Sequence, residues 1–219
     1  MQQRSAVNSN FPTVCVGGPA GGLDAYMRLL RHLPADMGLA IVIVNRITMA
    51  PTMLRHALAH IAPMPVELIE NGMAVVPDRV FVIPSNRDLH IDAASFRLAP
   101  VSKPRGWPEV ITVFLKSVAR SWDGQIVAVI VSGYDDDGAD ALCGIRDAGG
   151  IADAQQLSTA RQPDMPESAI ATGCIDFILT PEGIAAHFVR IARGDMSAWL
   201  RSDALVTVLA SGQPALAAS

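Results

Sequence analysis

Residues 17–22 read Gly-Gly-Pro-Ala-Gly-Gly, directly after the apolar run Thr13-Val14-Cys15-Val16 and directly before a segment with helical spacing. A glycine-flanked turn between strand and helix is the mount of a nucleophile. In G-x-S-x-G it lifts the serine off the strand end and exposes it at the helix start. Here Pro19 stands in the serine's place, and proline carries no nucleophilic atom. Two cofactor readings of the same turn fail on spacing. Pro19 breaks G-x-G-x-x-G, and Leu23 follows Gly22 where a phosphate-binding P-loop requires lysine, so no cofactor is expected. Three further stretches carry polar chemistry: Asn45-Arg46, the run Tyr134-Asp135-Asp136-Asp137-Gly138, and Met165-Pro166. The carboxylates at 135–137 also suit the N-terminus of a following helix, whose dipole favours anions.

These stretches sit where short apolar runs give way to helical patterns. Strand-like runs cover 13–16, 39–44, 66–69, 80–83, 125–131, 151–154 and 175–179, and helix-like spacing covers 23–32, 51–61, 110–121, 139–148, 166–171 and 181–192. Continuous β-branched runs bounded by Gly, Asn and Pro mark strands buried on both faces. The expected fold is therefore α/β, a doubly wound, mainly parallel sheet with helices on both faces. One β-hairpin insertion is expected at 89–98, where the pattern alternates. In such sheets chemistry gathers at the carboxyl ends of the strands, which is where all four stretches fall. Residues 1–10 read as an N-terminal extension, 11–194 as one domain, and 195–219 as a C-terminal helix with a frayed tail.

Composition narrows the function classes. Half of the 219 residues are hydrophobic, yet the longest apolar runs are far too short to span a bilayer, so no direct membrane insertion is expected. A net charge of −4 with two lysines, Lys103 and Lys116, speaks against a nucleic-acid partner. The polar start of the chain lacks a signal-peptide pattern, which points to the cytoplasm. Cys15, Cys143 and Cys174 are odd in number and lack C-x-x-C spacing, so they read as reduced, mostly buried small residues. His56 and His60 have i, i+4 spacing but no third ligand in the pattern, and no metal is expected.

Taken together, the four stretches resemble the methylesterase domain of CheB, the bacterial chemotaxis enzyme that hydrolyses glutamate methyl esters on receptors. The resemblance runs over 13–193 and is closest to the version fused to a methyltransferase. It rests on Ile83-Pro-Ser-Asn-Arg-Asp-Leu89, Ala148-Gly-Gly150 and Met165-Pro-Glu-Ser-Ala-Ile-Ala-Thr-Gly173. It implies a Ser-His-Asp triad at the strand ends. Carried over by position, the serine falls on Pro19, the histidine on Arg46 and the aspartate on Asp137, so only Asp137 matches. A further family aspartate is replaced by Thr112. The pocket is expected from Gly17, Gly18, Gly21, Gly22, Tyr134, Asp135, Asp136 and Met165, with Arg46 paired to the acidic cluster.

The reading that follows is a catalytically inactive family member with a regulatory or binding role in bacterial receptor signalling. Its partner is expected to be a chemoreceptor or other methylated signalling protein, or a chemotaxis-type regulator. Two alternatives stand beside it. One is an active methylesterase with a non-standard nucleophile, for which Ser132 is the nearest hydroxyl and Cys15 the buried thiol. The other is a small anion-binding module that uses the backbone N–H groups of residues 17–22 as a nest.

Overall fold

The computed structural model describes residues 11–19, 22–45, 50–103, 107–122 and 125–199. Apolar runs and amphipathic segments alternate along them as β1 (Thr13–Gly17), α1 (Leu23–Arg31), β2 (Ala40–Val44), α2 (Pro51–Ala59), β3 (Val66–Leu68) and β4 (Arg79–Val82). The hairpin β5 (Arg87–Asp92) and β6 (Ser95–Pro100) comes next, followed by α3 (Val110–Ser121), β7 (Ile126–Ile130) and α4 (Leu142–Asp147). The series closes with β8 (Ile151–Gln155), α5 (Asp164–Ala171), β9 (Phe177–Leu179) and α6 (Pro181–Ala192). Seven strands form one sheet in the order β3-β4-β2-β1-β7-β8-β9, and every pairing in it is parallel. The chain winds outward from β1 in both directions, as expected for a doubly wound sheet. Its two edges, β3 and β9, are only three residues long, which limits unpaired backbone.

The central strands are buried on both faces because each face has its own helical layer. Val14, Val16, Ile41, Ile43, Val127 and Val129 pack with Tyr26, Leu30, Leu54, Leu58, Ile184 and Phe188 of α1, α2 and α6. The alternate residues, Cys15, Val42, Phe81 and Ala128, pack against the hairpin, α3, α4 and α5. Period-two alternation thus divides an apolar run between two cores. The hairpin turns at Ala93 and Ala94, with φ of 45° and 60°, the left-handed pair a two-residue hairpin loop demands. Helix starts follow sequence chemistry too: Pro181 opens α6, and the Thr180 hydroxyl accepts the Gly183 N–H at 3.1 Å.

The cysteines correct the expectation of three reduced thiols. Cys143 and Cys174, 31 positions apart in sequence, form a disulfide with their Cα atoms 5.2 Å apart. The crossovers stack α4 and α5 on the same face of the sheet, and this places the first turn of α4 beside the chain that leaves α5. Arg146 joins the clasp by donating to the Gly173 carbonyl at 3.0 Å. Cys15 is the free, buried thiol, and burial pushes its pKa well up.

A buried pair secures the far end of the domain. His187 on α6 places Nδ1 2.8 Å from Asp153 Oδ2 on β8 and Nε2 3.0 Å from the Ala198 carbonyl, beyond α6. The Ala198 carbonyl can only accept, so Nε2 donates to it, and a protonated ring also donates from Nδ1 to the Asp153 carboxylate. Burial lowers the His187 pKa, but the charge and hydrogen bond of Asp153 outweigh it and hold the pKa above the ordinary value. Asp153 is fully buried, and burial keeps its carboxyl above the usual range against the pull of His187. Asp176 beside Asp153 and Arg190 beside His187 complete the local charges. A raised histidine pKa gives stability that is complete below the unfolded value of about 6.5 and is lost as pH rises through the folded value. Unfolding free energy is therefore expected to fall above about pH 6.5, by at most about 1.4 kcal/mol per pH unit. Urea unfolding across this range checks it: a flat wild-type profile, or a slope that survives His187→Gln, contradicts the assignment.

Candidate functional site

The sheet reverses its winding between β1 and β7, and a crevice opens at their carboxyl ends. The glycine turn after β1 is closely packed. Gly18 donates its N–H to the Val44 carbonyl at 3.3 Å, and its own carbonyl accepts the buried Tyr26 hydroxyl. A side chain at Gly18 would meet Val131 Cγ2 at 2.6 Å, so glycine alone fits there. Gly22 donates to the Pro19 carbonyl at 2.8 Å, and Gly17 lies in the ladder opposite Val44 and Ile130. Pro19 has no N–H, so the described part of the turn does not offer the free donors a nest needs. Gly21 lies outside the described residues. The anion-nest alternative is corrected on this point: the backbone donors of Gly18 and Gly22 already hold the turn together.

Pro19 is buried where a serine would be exposed. Its ring lies against Gly133 and Met165: a Cβ on Gly133 would stand 2.2 Å from Pro19 Cδ and 2.4 Å from Met165 Sδ. Met165, 1% exposed, is fixed by donating its N–H to the Gly133 carbonyl at 3.0 Å. Pyrrolidine ring, glycine and thioether make a packed plug at the nucleophile position. Gly17, Gly18, Gly22 and Met165 are all buried around it and do not line the open cavity beside it.

Asp137 has a different neighbourhood from that of a histidine-orienting carboxylate. Its Oδ2 accepts the Ile111 N–H at 3.0 Å and its Oδ1 the Thr112 N–H at 2.9 Å. In return, the Thr112 hydroxyl accepts the Gly138 N–H at 2.8 Å. The residue before α3, Glu109, makes no side-chain cap bond, so the turn after β7 caps this helix from outside. The turn is shaped for it, with Asp135 at φ 83° and Gly138 at φ 99°, and Asp135 Oδ1 accepts the Asp137 N–H at 2.9 Å. Burial pushes the Asp137 carboxyl above the ordinary range, against the pull of the Thr112 and Ile111 N–H groups. Asp137→Ala removes both bonds and is expected to destabilise the fold by about 2 kcal/mol, at the upper end for a lost cap. Chemical denaturation of the variant checks this, and an unchanged midpoint contradicts the capping role.

The open space lies one step outward. A cavity of about 340 Å³ is lined by Tyr134, Asp135, Asp136 and Asp137 together with Trp107, Pro108 and Glu109. Tyr134 is 54% and Trp107 76% exposed. Trp107 escaped the sequence reading, although a tryptophan beside proline in a polar stretch is the signal of an exposed aromatic. Arg46 and its expected pairing with the acidic cluster lie outside the described residues. Ser132 is buried, and its hydroxyl accepts the Gln162 N–H at 3.0 Å, which removes it as an exposed nucleophile. His56 and His60 meet at 3.0 Å between Nε2 atoms, and no third ligand group joins them among the described residues. Among the described residues no histidine, serine or threonine borders the cavity, which offers carboxylates, aromatic faces and the phenol of Tyr134.

Known proteins resemble the chain over most of its length. Residues 14–188 match the family model described as CheB methylesterase. A Rhizobium meliloti protein named protein-glutamate methylesterase/protein-glutamine glutaminase of group 3 operon is 31% identical over 83% of this chain and 52% of its own length. A Burkholderia pseudomallei protein-glutamate methylesterase/protein-glutamine glutaminase 2 is 30% identical over 86% of this chain and 56% of its own. This chain spans about half the length of these two relatives. The crystal structure of the Thermotoga maritima CheB methylesterase catalytic domain superposes with a TM-score of 0.74, at 24% identity, over 83% of this chain and 98% of that one. At that identity the superposition speaks for the fold. No helix among the described residues is long and apolar enough to cross a membrane.

Proposed function

Because the chain belongs to the CheB methylesterase family, we propose that it is a member which has kept the receptor-facing scaffold and lost the hydrolysis, and that it acts by binding in bacterial receptor signalling. The observation that carries this reading is Pro19, buried against Gly133 and Met165 at the position of the attacking serine. Ester hydrolysis by a triad needs a hydroxyl, a base to take its proton and an anion to orient the base. Proline supplies no hydroxyl. Arg46 at the base position is a permanent cation that accepts no proton. Asp137 is engaged with the start of α3. The cavity between Trp107 and Tyr134 remains open and offers aromatic surface to a partner side chain. Its partner in this reading is a methylated chemoreceptor or a chemotaxis-type regulator, met in the cytoplasm. Methanol release from a methylated receptor, measured beside an active family member, tests the proposal. Release above a heat-killed control overturns it in favour of a working esterase with another nucleophile.

A further inference from the structure

The family site lies at the start of α3, and a second hollow of about 400 Å³ opens along the C-terminal half of the same helix, against the β5–β6 hairpin. Its charged lining is lopsided. Arg97 from β6 and Lys116 and Arg120 from α3 face it, with Asp92 as the one carboxylate. None of the three cations forms an ion pair among the described residues, in a chain whose net charge is −4. On their outer side Lys116 and Arg120 border another hollow with Asp140 and Asp147, neither of them close enough for an ion pair.

Folding alone gives poor reasons for this arrangement. Lys116 and Arg120 are an i, i+4 pair of like charges, which disfavours a helix. The helix dipole explains a basic last turn, but not why the hairpin adds a third cation. Arg97 stands directly across the strands from His90, and like charges in that position weaken a hairpin. That repulsion is eased because burial first, then Arg97, lower the His90 pKa and so favour its neutral form. The hairpin is meanwhile held to the helix, since Ser117 Oγ accepts the Ile91 N–H at 2.9 Å. The cations on the two walls are thus held facing one space.

We propose that this cleft binds a small phosphorylated anion of the diphosphate class, gripped between Arg97 on the hairpin and Lys116 and Arg120 on α3. Two guanidinium forks match phosphate oxygens in pairs, and the ammonium adds a point charge that needs no fixed direction. The hollow is at the small end of the range for ligand sites, which suits a diphosphate or a nucleotide-sized molecule better than a protein helix.

The test uses inorganic pyrophosphate titrated into the whole chain at constant ionic strength, followed by amide chemical shifts. Saturable shifts are expected in residues 89–98 and 113–121. Arg97→Gln with Arg120→Gln is expected to weaken binding at least about tenfold, as loss of charge-assisted bonds requires. Asp92→Asn is expected to tighten it, and Arg31→Gln on α1 to leave it unchanged. The proposal is overturned if the wild-type shifts scatter over arginines elsewhere, or if potassium chloride at equal ionic strength reproduces them. It is equally overturned if a hexaglutamate peptide binds this cleft and pyrophosphate does not. The wild-type shift map decides the matter even where a variant folds poorly.

Discussion

Turnover of a glutamyl methyl ester by this protein is expected to be at least about 10⁴-fold slower than by a family member with serine, histidine and aspartate in place. Losses of the nucleophile and of the base are not additive, because either one alone removes the unit. Single reversions are therefore expected to do nothing measurable. Pro19→Ser alone provides a hydroxyl that stays protonated, and Arg46→His alone provides a base with nothing to activate. The double variant is expected to hydrolyse an activated ester detectably but poorly. Serine in place of the proline ring leaves a gap beside Gly133 and Met165, and a misplacement of about 1 Å costs about a hundredfold. Asp137 can still assist it: each carboxylate oxygen has a second lone pair beyond its bond to Ile111 or Thr112. Adding Asp137→Asn is expected to erase most of the gain. A burst of leaving group from the activated ester gives the readout. Wild-type turnover within a few fold of an active relative removes the inactive reading. A folded double variant that never acylates shows that the geometry has drifted beyond repair by two substitutions.

Replacing Cys143 and Cys174 by serine is expected to lower stability by about 3.5 kcal/mol, the loop-closure value for a bridge spanning some thirty residues. For a chain of this size the thermal midpoint should drop by about 10 °C. The bridge encloses α4, β8 and α5, so in the unfolded chain it restrains that whole stretch of the second half of the sheet. The same loss is expected on adding a dithiol reductant to the wild-type protein, and the serine variant should not respond to the reductant. Intact-mass analysis after alkylation counts the thiols directly. Three alkylated cysteines in protein kept under air, or equal midpoints with and without reductant, contradict the bond.

Much of the architecture is legible in particular runs of residues. Ala40–Val44 and Ile126–Ile130 are unbroken apolar stretches, and only a sheet covered on both faces accommodates them. The hairpin is visible in the alternation around Asp92-Ala93-Ala94-Ser95, though it extends two residues further at each end than the 89–98 pattern suggests. What escapes the sequence depends on elements far apart meeting. The pairing of Cys143 with Cys174 needs two helices stacked on one face. The cap on α3 comes from residue 137, 25 positions after the Thr112 N–H it accepts. An aspartate in a family motif looks the same whether it orients a base or finishes a helix. Arg97 and Arg120 likewise become neighbours across a cleft only when the hairpin folds against the helix.

The place of β1 in the sheet also sets the order in which the protein can assemble. Residue 13 pairs with residue 40 on one side and with residue 126 on the other. During synthesis the first four strands of the sheet can gather while the second edge of β1, apolar and with its backbone unpaired, has no partner. That partner follows only after the hairpin and α3 have been made. Parallel pairing at such long sequence separation is slow, and an open strand edge recruits other chains. Growth from the ribosome therefore passes through a half-sheet with β1, a strand buried in the finished fold, at its rim. Mutations that delay β7 should appear first as aggregation of nascent chains, before any change in the finished fold is measurable.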